Sequence, residues 1–295
     1  MTQKIAGVVP PLVTPFTEDE ELDLEALRAE IRYMVDVAGV HGIAIGGSTG
    51  EGHTLTTDEI RTLIGTACDE VAGKVPVVAG IIVDSTRQAI ERGQAVADLD
   101  VAALQITPVH YLFKPTEEMM YKHFDRVAAA TGVPVMIYNV VPWCYLSPEL
   151  LTKIITEVDG VIGVKQSAGD LNLLANLMLQ LGDRGLVMAA TDALLYSAYS
   201  LGAHGSIAAI LPAAPKLSVQ LWDAVQAGDH MKARALHEKL LPIWNAVLDE
   251  NLPANVKTAM AMQGRQGGHP RSPMPASSAA QRERIRSVIQ AEIDA

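Results

Sequence analysis

The sequence predicts an α/β protein: a closed (β/α)8 barrel of the TIM type over residues 1–227, followed by a C-terminal three-helix extension over residues 228–295. Three observations carry this expectation. Short strand-like and longer helix-like segments alternate eight times. The strand-like segments are near-continuous apolar runs, as expected for parallel strands covered on both faces. An open doubly wound sheet needs a glycine-rich phosphate turn after its first strand. Pro10-Pro11-Leu12-Val13-Thr14-Pro15 stands there instead.

The elements follow in order. Residues 5–12 read as an apolar strand. Residues 23–38 read as an amphipathic helix, with Leu24, Leu27, Ile31, Met34 and Val35 on one face. Residues 41–46 form the second strand. The helix at 56–71 opens with Thr56-Thr57-Asp58-Glu59, a capping threonine ahead of acidic first-turn residues. Strand and helix then pair at 75–82 with 85–97, 101–107 with 115–130, and 133–139 with 147–157. The last pairs are 161–167 with 170–181, 186–191 with 193–201, and 205–209 with 214–227. The extension reads as helices at 229–248, 254–262 and 277–291. Residues 264–275, rich in Gly, Pro and Arg, are a loop within it rather than a linker.

Composition narrows the class of function. Hydrophobic residues make up 49% of the 295, enough for a large core. The net charge of −11 and the short basic runs argue against a nucleic-acid or anionic-membrane partner, though not against a small anion bound locally. Two cysteines, Cys68 and Cys144, make no disulfide framework, and the histidines show no zinc-ligand spacing. A reducing compartment follows. Residues 1–15 lack the apolar core of a signal peptide, and no run approaches the roughly 18 apolar residues of a membrane span. A cytoplasmic protein is expected.

Barrel chemistry sits where strands end and loops begin. The sixth strand reads Val161-Ile162-Gly163-Val164-Lys165-Gln166-Ser167, with a lysine inside an apolar run. A buried ammonium is costly unless paired or deprotonated, and a desolvated lysine becomes a nucleophilic amine able to condense with a ketone. The other reading is a lysine that extends its head to solvent. The fifth strand ends at Tyr138-Asn139. In a barrel mouth Tyr138 can serve as a general acid/base; elsewhere it would be a core tyrosine with a satisfied hydroxyl. Adjacent strands put Tyr138 and Lys165 on one cavity. The second strand runs into Gly46-Gly47-Ser48-Thr49-Gly50-Glu51, where glycines let backbone amides approach an anion. By itself this is also an ordinary glycine-rich loop.

Together, Gly47-Ser48-Thr49-Gly50-Glu51, Tyr138-Asn139 and Gly163-Val164-Lys165-Gln166-Ser167-Ala168-Gly169-Asp170 resemble the dihydrodipicolinate synthase / N-acetylneuraminate lyase superfamily. The opening Gly7-Val8-Val9-Pro10-Pro11-Leu12-Val13-Thr14-Pro15-Phe16 and the later Asn251-Leu252-Pro253-Ala254-Asn255-Val256-Lys257 are similar to it as well, so the resemblance spans the chain. It implies class I aldolase chemistry on pyruvate or another 2-oxo acid. Lys165 would form the imine. Ser48, Thr49 and the amides of that loop, Gly47 included, would hold the carboxylate. Tyr138, in a hydroxyl relay with Ser48, would move protons. Ile207 matches an apolar position lining the cavity. No metal or organic cofactor is implied, because the protonated imine is the electron sink, and homotetramers of two tight dimers are the family's common assembly.

Three departures bear on substrate. The family's dihydrodipicolinate synthases carry an arginine soon after the Tyr-Asn-Val-Pro segment, gripping a second carboxylate. Here Tyr138-Asn139-Val140-Val141-Pro142-Trp143-Cys144-Tyr145 is followed by no arginine until Arg184. Trp143 stands near that place, either facing a ring-bearing or uncharged partner or only packing the loop. The fourth-strand loop, Thr107-Pro108-Val109-His110-Tyr111-Leu112-Phe113-Lys114-Pro115, leaves His110 or Tyr111 to replace the family's interface tyrosine. Thr191-Asp192 after the seventh strand also differs from the usual pattern. The expectation is a Schiff-base lyase cleaving, condensing or dehydrating a 2-oxo acid, such as a 2-keto-3-deoxy sugar acid or an aromatic aldehyde adduct. The alternatives are 4-hydroxy-tetrahydrodipicolinate synthase itself and a non-catalytic 2-oxo-acid sensor.

Overall fold

The computed structural model describes residues 4–109 and 111–295. Its eight strands are β1 (Gly7–Val8), β2 (Ile43–Ile45), β3 (Val77–Ile81), β4 (Ala103–Ile106), β5 (Val135–Asn139), β6 (Val161–Gln166), β7 (Leu186–Ala189) and β8 (Gly205–Ser206). All neighbours are parallel, in the order β1-β8-β7-β6-β5-β4-β3-β2. The last seam, between β1 and β2, closes through a parallel bridge of Pro11 with Ala44. His41 N–H reaches Val8 O and Ala44 N–H reaches Pro10 O, each at 2.9 Å. The sheet is therefore a barrel.

β1 is shorter than the apolar run 5–12 because Pro10 and Pro11 have no N–H to give the ladder. β8 is equally short. Gly205 there has φ 156°, and a Cβ on it would sit 2.1 Å from Gly7 O. Only glycine lets β8 approach β1 so closely.

The helices between strands are α1 (Leu24–Arg32), α2 (Thr57–Val71), α3 (Thr86–Gln94), α4 (Glu117–Thr131), α5 (Pro148–Glu157), α6 (Leu171–Leu181) and α7 (Leu195–Ser200). After β8 come α8 (Ile210–Ala213) and α9 (Pro215–Gln226), then α10 (His230–Val247), α11 (Leu252–Met262) and α12 (Ala279–Ile293). The Thr56 cap of α2 is a full capping box with Glu59. The helix expected over 23–38 divides: α1 ends at Arg32, and Tyr33–Ala38 winds as a π-helix that Gly39 ends at φ 70°. No helix among the described residues is long and apolar enough to cross a membrane.

Strand alternation sorts two cores. Val8, Ile43, Ile45, Val77, Ile81, Leu104, Ile137 and Val187 pack outward against the helices. Val9, Ala44, Val78, Met136, Met188 and Ile207 fill the barrel interior. Tyr138 lies two residues from Met136 and so shares its inward face. Tyr138 pairs in register with Lys165, and Lys165 with Met188, so Lys165 points inward too.

Candidate active site

The loop after β2 is a tight structure with little freedom. Gly46 has φ 76°. Glu51 N–H donates to Ser48 O and Gly52 N–H to Gly47 O, both at 3.0 Å. A Cβ on Gly52 would lie 1.9 Å from Gly46 O, so the loop closes only with glycine at this position. Thr14 donates its hydroxyl to Gly50 O at 2.6 Å. This turn presents Ser48, which is exposed, and Thr49, which is buried.

Glu51 ends the turn in the left-handed region at φ 54°, strained for a non-glycine residue by roughly 1–2 kcal/mol. Its side chain is fully buried. Oε1 accepts from Lys257 Nζ at 2.6 Å, and Oε2 accepts from the Arg271 amide at 2.9 Å. Lys257 also donates to His269 O at 2.6 Å and lies 4.9 Å from the Phe16 ring centre. Burial pushes its amine below the ordinary value, and Glu51 pulls it back up. The binding loop is thus tied to α11 and the loop beyond it.

Across the barrel, β5 and β6 carry Tyr138 and Lys165. Lys165 is 3% exposed, with Nζ 3.8 Å from the centre of the Tyr138 ring. The Tyr138 hydroxyl donates to Ser48 Oγ at 3.1 Å. Asn139, fully buried, steers the chain as it leaves β5. Its Nδ2 donates to Leu146 O at 3.1 Å and to Gln166 Oε1 at 2.9 Å, and its Oδ1 accepts from Leu146 N–H at 2.9 Å. These bonds lock the β5 loop to β6 directly behind the Tyr138–Lys165 pair.

Lys165, Tyr138, Ser48, Thr49 and Ile207 line one cavity of about 270 Å³. Val140, Ser167, Ala190, Asp192, Ala209, Leu252 and Pro253 complete its wall. Gly47 lies one residue before Ser48 and is not on the wall. Trp143 and Tyr111 are not brought to it either: they are 58% and 63% exposed, and Trp143 Nε1 donates to Tyr111 O at 3.1 Å. The Trp143 indole is engaged with the fourth-strand loop and is not on the cavity wall. His110 lies outside the described residues.

Asp192, Leu252 and Pro253 were not singled out as site residues by sequence. Desolvation pushes the Asp192 carboxyl up to about 6, against the Ile210 amide and the Lys165 charge, which pull it down. Leu252 and Pro253 open α11, on a helix whose apolar residues read simply as core. Among the described residues, no arginine lines the cavity. Arg184 belongs to a crevice with Glu157, Asp159 and His204, and its guanidinium donates to Leu181 O and Gln180 O. Among the described residues, no three His, Cys, Asp or Glu side chains come together as metal ligands would.

Comparison with known proteins agrees with this geometry. The family model described as the dihydrodipicolinate synthetase family matches residues 4–292. The chain belongs to this family. It is a lyase of the class I aldolase type. It is 36% identical to the 4-hydroxy-tetrahydrodipicolinate synthase of Methanopyrus kandleri, over 92% of this chain and 91% of that one. It is 34% identical to the enzyme of the same name from Bradyrhizobium diazoefficiens, over 97% and 96% of the two chains. Among solved structures, a prophage protein of the dihydrodipicolinic acid synthase family from E. coli K12, in complex with pyruvate, superposes with a TM-score of 0.92. The two are 28% identical, and the match covers 98% of each chain.

Proposed function

We propose that this protein is a Schiff-base-forming lyase in which Lys165 condenses with pyruvate or a related 2-oxo acid. The observation that carries the reading is one small cavity holding a buried lysine, a tyrosine 3.8 Å from its amine and a serine hydroxyl 3.1 Å from that tyrosine. The Lys165 amine adds to the keto carbon, the carbonyl oxygen takes up protons, and water leaves to give the protonated imine. That cation accepts the electron pair when a C–H or C–C bond next to it breaks. Tyr138 moves the protons, with Ser48 as the next station toward solvent. Ser48, Thr49 and their loop amides hold the carboxylate.

The second substrate is best read as an uncharged aldehyde, such as that released from a 2-keto-3-deoxy sugar acid. Lys165 is the one cation on the described wall, and its charge stays at the imine nitrogen as the electron sink. A partner carboxylate would meet no guanidinium there. The reading as 4-hydroxy-tetrahydrodipicolinate synthase is favoured by the names of the curated relatives and opposed by this missing clamp. We further propose a cytoplasmic homotetramer. Both cysteines are free, and Tyr111, Leu112, Phe113, Met119 and Trp143 expose apolar surface on α4 and the β4 and β5 loops. Incubation with pyruvate and borohydride, followed by intact mass and peptide mapping, should give a stable adduct on Lys165. Binding of pyruvate without any adduct would mark a sensor instead, and an adduct elsewhere would end the assignment.

A further inference from the structure

Among the described residues of the cavity wall, only Lys165 and Asp192 carry formal charge. They come from neighbouring strands. Lys165 pairs in register with Met188 of β7, and Asp192 lies just past the end of β7, opening a single 3-10 turn at Asp192–Leu194. The Asp192 carboxylate is fixed, not free to swing: Oδ1 accepts the Ile210 amide at 2.8 Å, bridging the segments that follow β7 and β8. The remaining titratable neighbours do not compete for it. Tyr199, on α7, is pushed up by burial and shares a 2.5 Å hydrogen bond with Ser206 Oγ, so it stays neutral. Tyr138 faces Lys165 from β5 and donates its hydroxyl hydrogen bond to Ser48 Oγ.

We propose that Asp192 is the counter-ion of the imine on Lys165, its carboxylate stabilising the positive charge that appears when the carbinolamine loses water. This rests on Lys165 being the imine-forming residue. In that step the C–O bond breaks, the oxygen leaves as water, and the nitrogen lone pair becomes the C=N bond. The nitrogen, neutral when it attacked, ends with a full positive charge on a side chain that is 3% exposed. A fixed anion on the same cavity wall lowers the barrier as the charge develops, because nothing must reorganise as the charge forms. The substrate's own carboxylate cannot serve fully, since the Ser48–Thr49 loop holds it. The carboxyl's raised titration, up to about 6, means the counter-ion is lost when the medium is mildly acidic.

The test is the second-order rate of pyruvate-dependent trapping by cyanoborohydride, followed from pH 5 to 9 in the wild type, Asp192→Asn and Asp192→Glu. Asparagine keeps an oxygen for the Ile210 amide, and a thermal melt checks that each variant folds. Asp192→Asn should trap about ten- to a hundredfold more slowly above pH 7, the scale of losing a fixed electrostatic group at a developing charge. The wild-type profile should bend near pH 6, and the bend should be missing from Asp192→Asn. Asp192→Glu should restore part of the rate and the bend. Equal rates and profiles in wild type and Asp192→Asn would overturn the counter-ion role while leaving the imine in place. A wild-type profile without a bend near pH 6 would overturn it even if Asp192→Asn did not fold. No adduct in the wild type at any pH would remove the imine reading and this role together.

Discussion

Replacing Lys257 with methionine should destabilise the protein by about 3–5 kcal/mol, the range for removing one partner of a buried ion pair. Glu51 is fully buried and Lys257 is 3% exposed, with 2.6 Å between Oε1 and Nζ. Methionine keeps the unbranched stem packed against Phe16 but leaves Glu51 ionised with only the Arg271 amide, or forces it to take a proton. Unfolding entropy of about 2.1 cal/mol/K per residue makes this a fall of roughly 5–8 °C in Tm. The same change loosens the turn that presents Ser48 and Thr49, so KM for pyruvate should rise more than kcat falls. The assay is a thermal melt with steady-state kinetics on Lys257→Met and on the double variant Glu51→Gln, Lys257→Met. The double variant should recover part of the stability, because no unpaired charge remains. A Lys257→Met protein within about 0.5 kcal/mol of wild type, or a double variant no better than the single, would refute the ion-pair argument.

Tyr138→Phe should lower kcat by about 10²–10⁴, the usual span for a general acid/base group, read from steady-state kinetics at saturating substrate. Aspartate semialdehyde should be a poor partner for pyruvate, by roughly 30- to several-thousand-fold in kcat/KM against an uncharged aldehyde, as expected when a carboxylate meets no cation. Turnover near 10⁵ M⁻¹s⁻¹ would instead favour the dihydrodipicolinate synthase reading. Burial pushes the His123 imidazole down to about 4, so the unfolded chain takes up its proton first as pH falls from about 6.5. Stability is then lost down to about pH 4, by up to roughly 3 kcal/mol, and His123→Gln should lack this loss in paired denaturant titrations. Glu30 and Glu292, both pushed up to about 7 by burial, slope the other way but are common to both proteins, so the difference isolates His123.

The parts of this fold readable from sequence are those set by local chemistry. Apolar runs such as Val161 to Lys165 and the Thr56 cap each declare their element within a few residues. The parts that were not readable depend on partners far away in the chain. β1 shrinks because prolines interrupt its ladder, and β8 because Gly205 must meet Gly7. The π-helical turn at Tyr33–Ala38 has no local signature in its six residues. Lys165 and Tyr138 were legible because they lie on adjacent strands, whereas Ser48, on the loop after β2, was legible only through the resemblance to the family. Asp192 was marked only as a departure after the seventh strand, since its place beside Lys165 on the cavity wall depends on how the turn after β7 folds back. The Glu51–Lys257 pair spans 206 residues, and nothing in either neighbourhood names the other. Trp143 was left open by its sequence between the pocket and mere loop packing, and its indole bonds the neighbouring loop.

The position of α11 has a consequence for the order in which the protein becomes competent. Leu252 and Pro253 close one side of the cavity, and Lys257, on the same helix, secures the turn that would grip the substrate. Both Lys165 and Tyr138 are synthesised roughly a hundred residues earlier. A chain emerging from the ribosome has its eight strands available while the pocket still lacks a wall and its gripping turn lacks an anchor. Arg271, whose amide completes the hold on Glu51, emerges later still. If Lys165 forms the imine as proposed, its amine has no assembled site in an unfinished barrel, and the chemistry begins only when nearly the whole chain has been made.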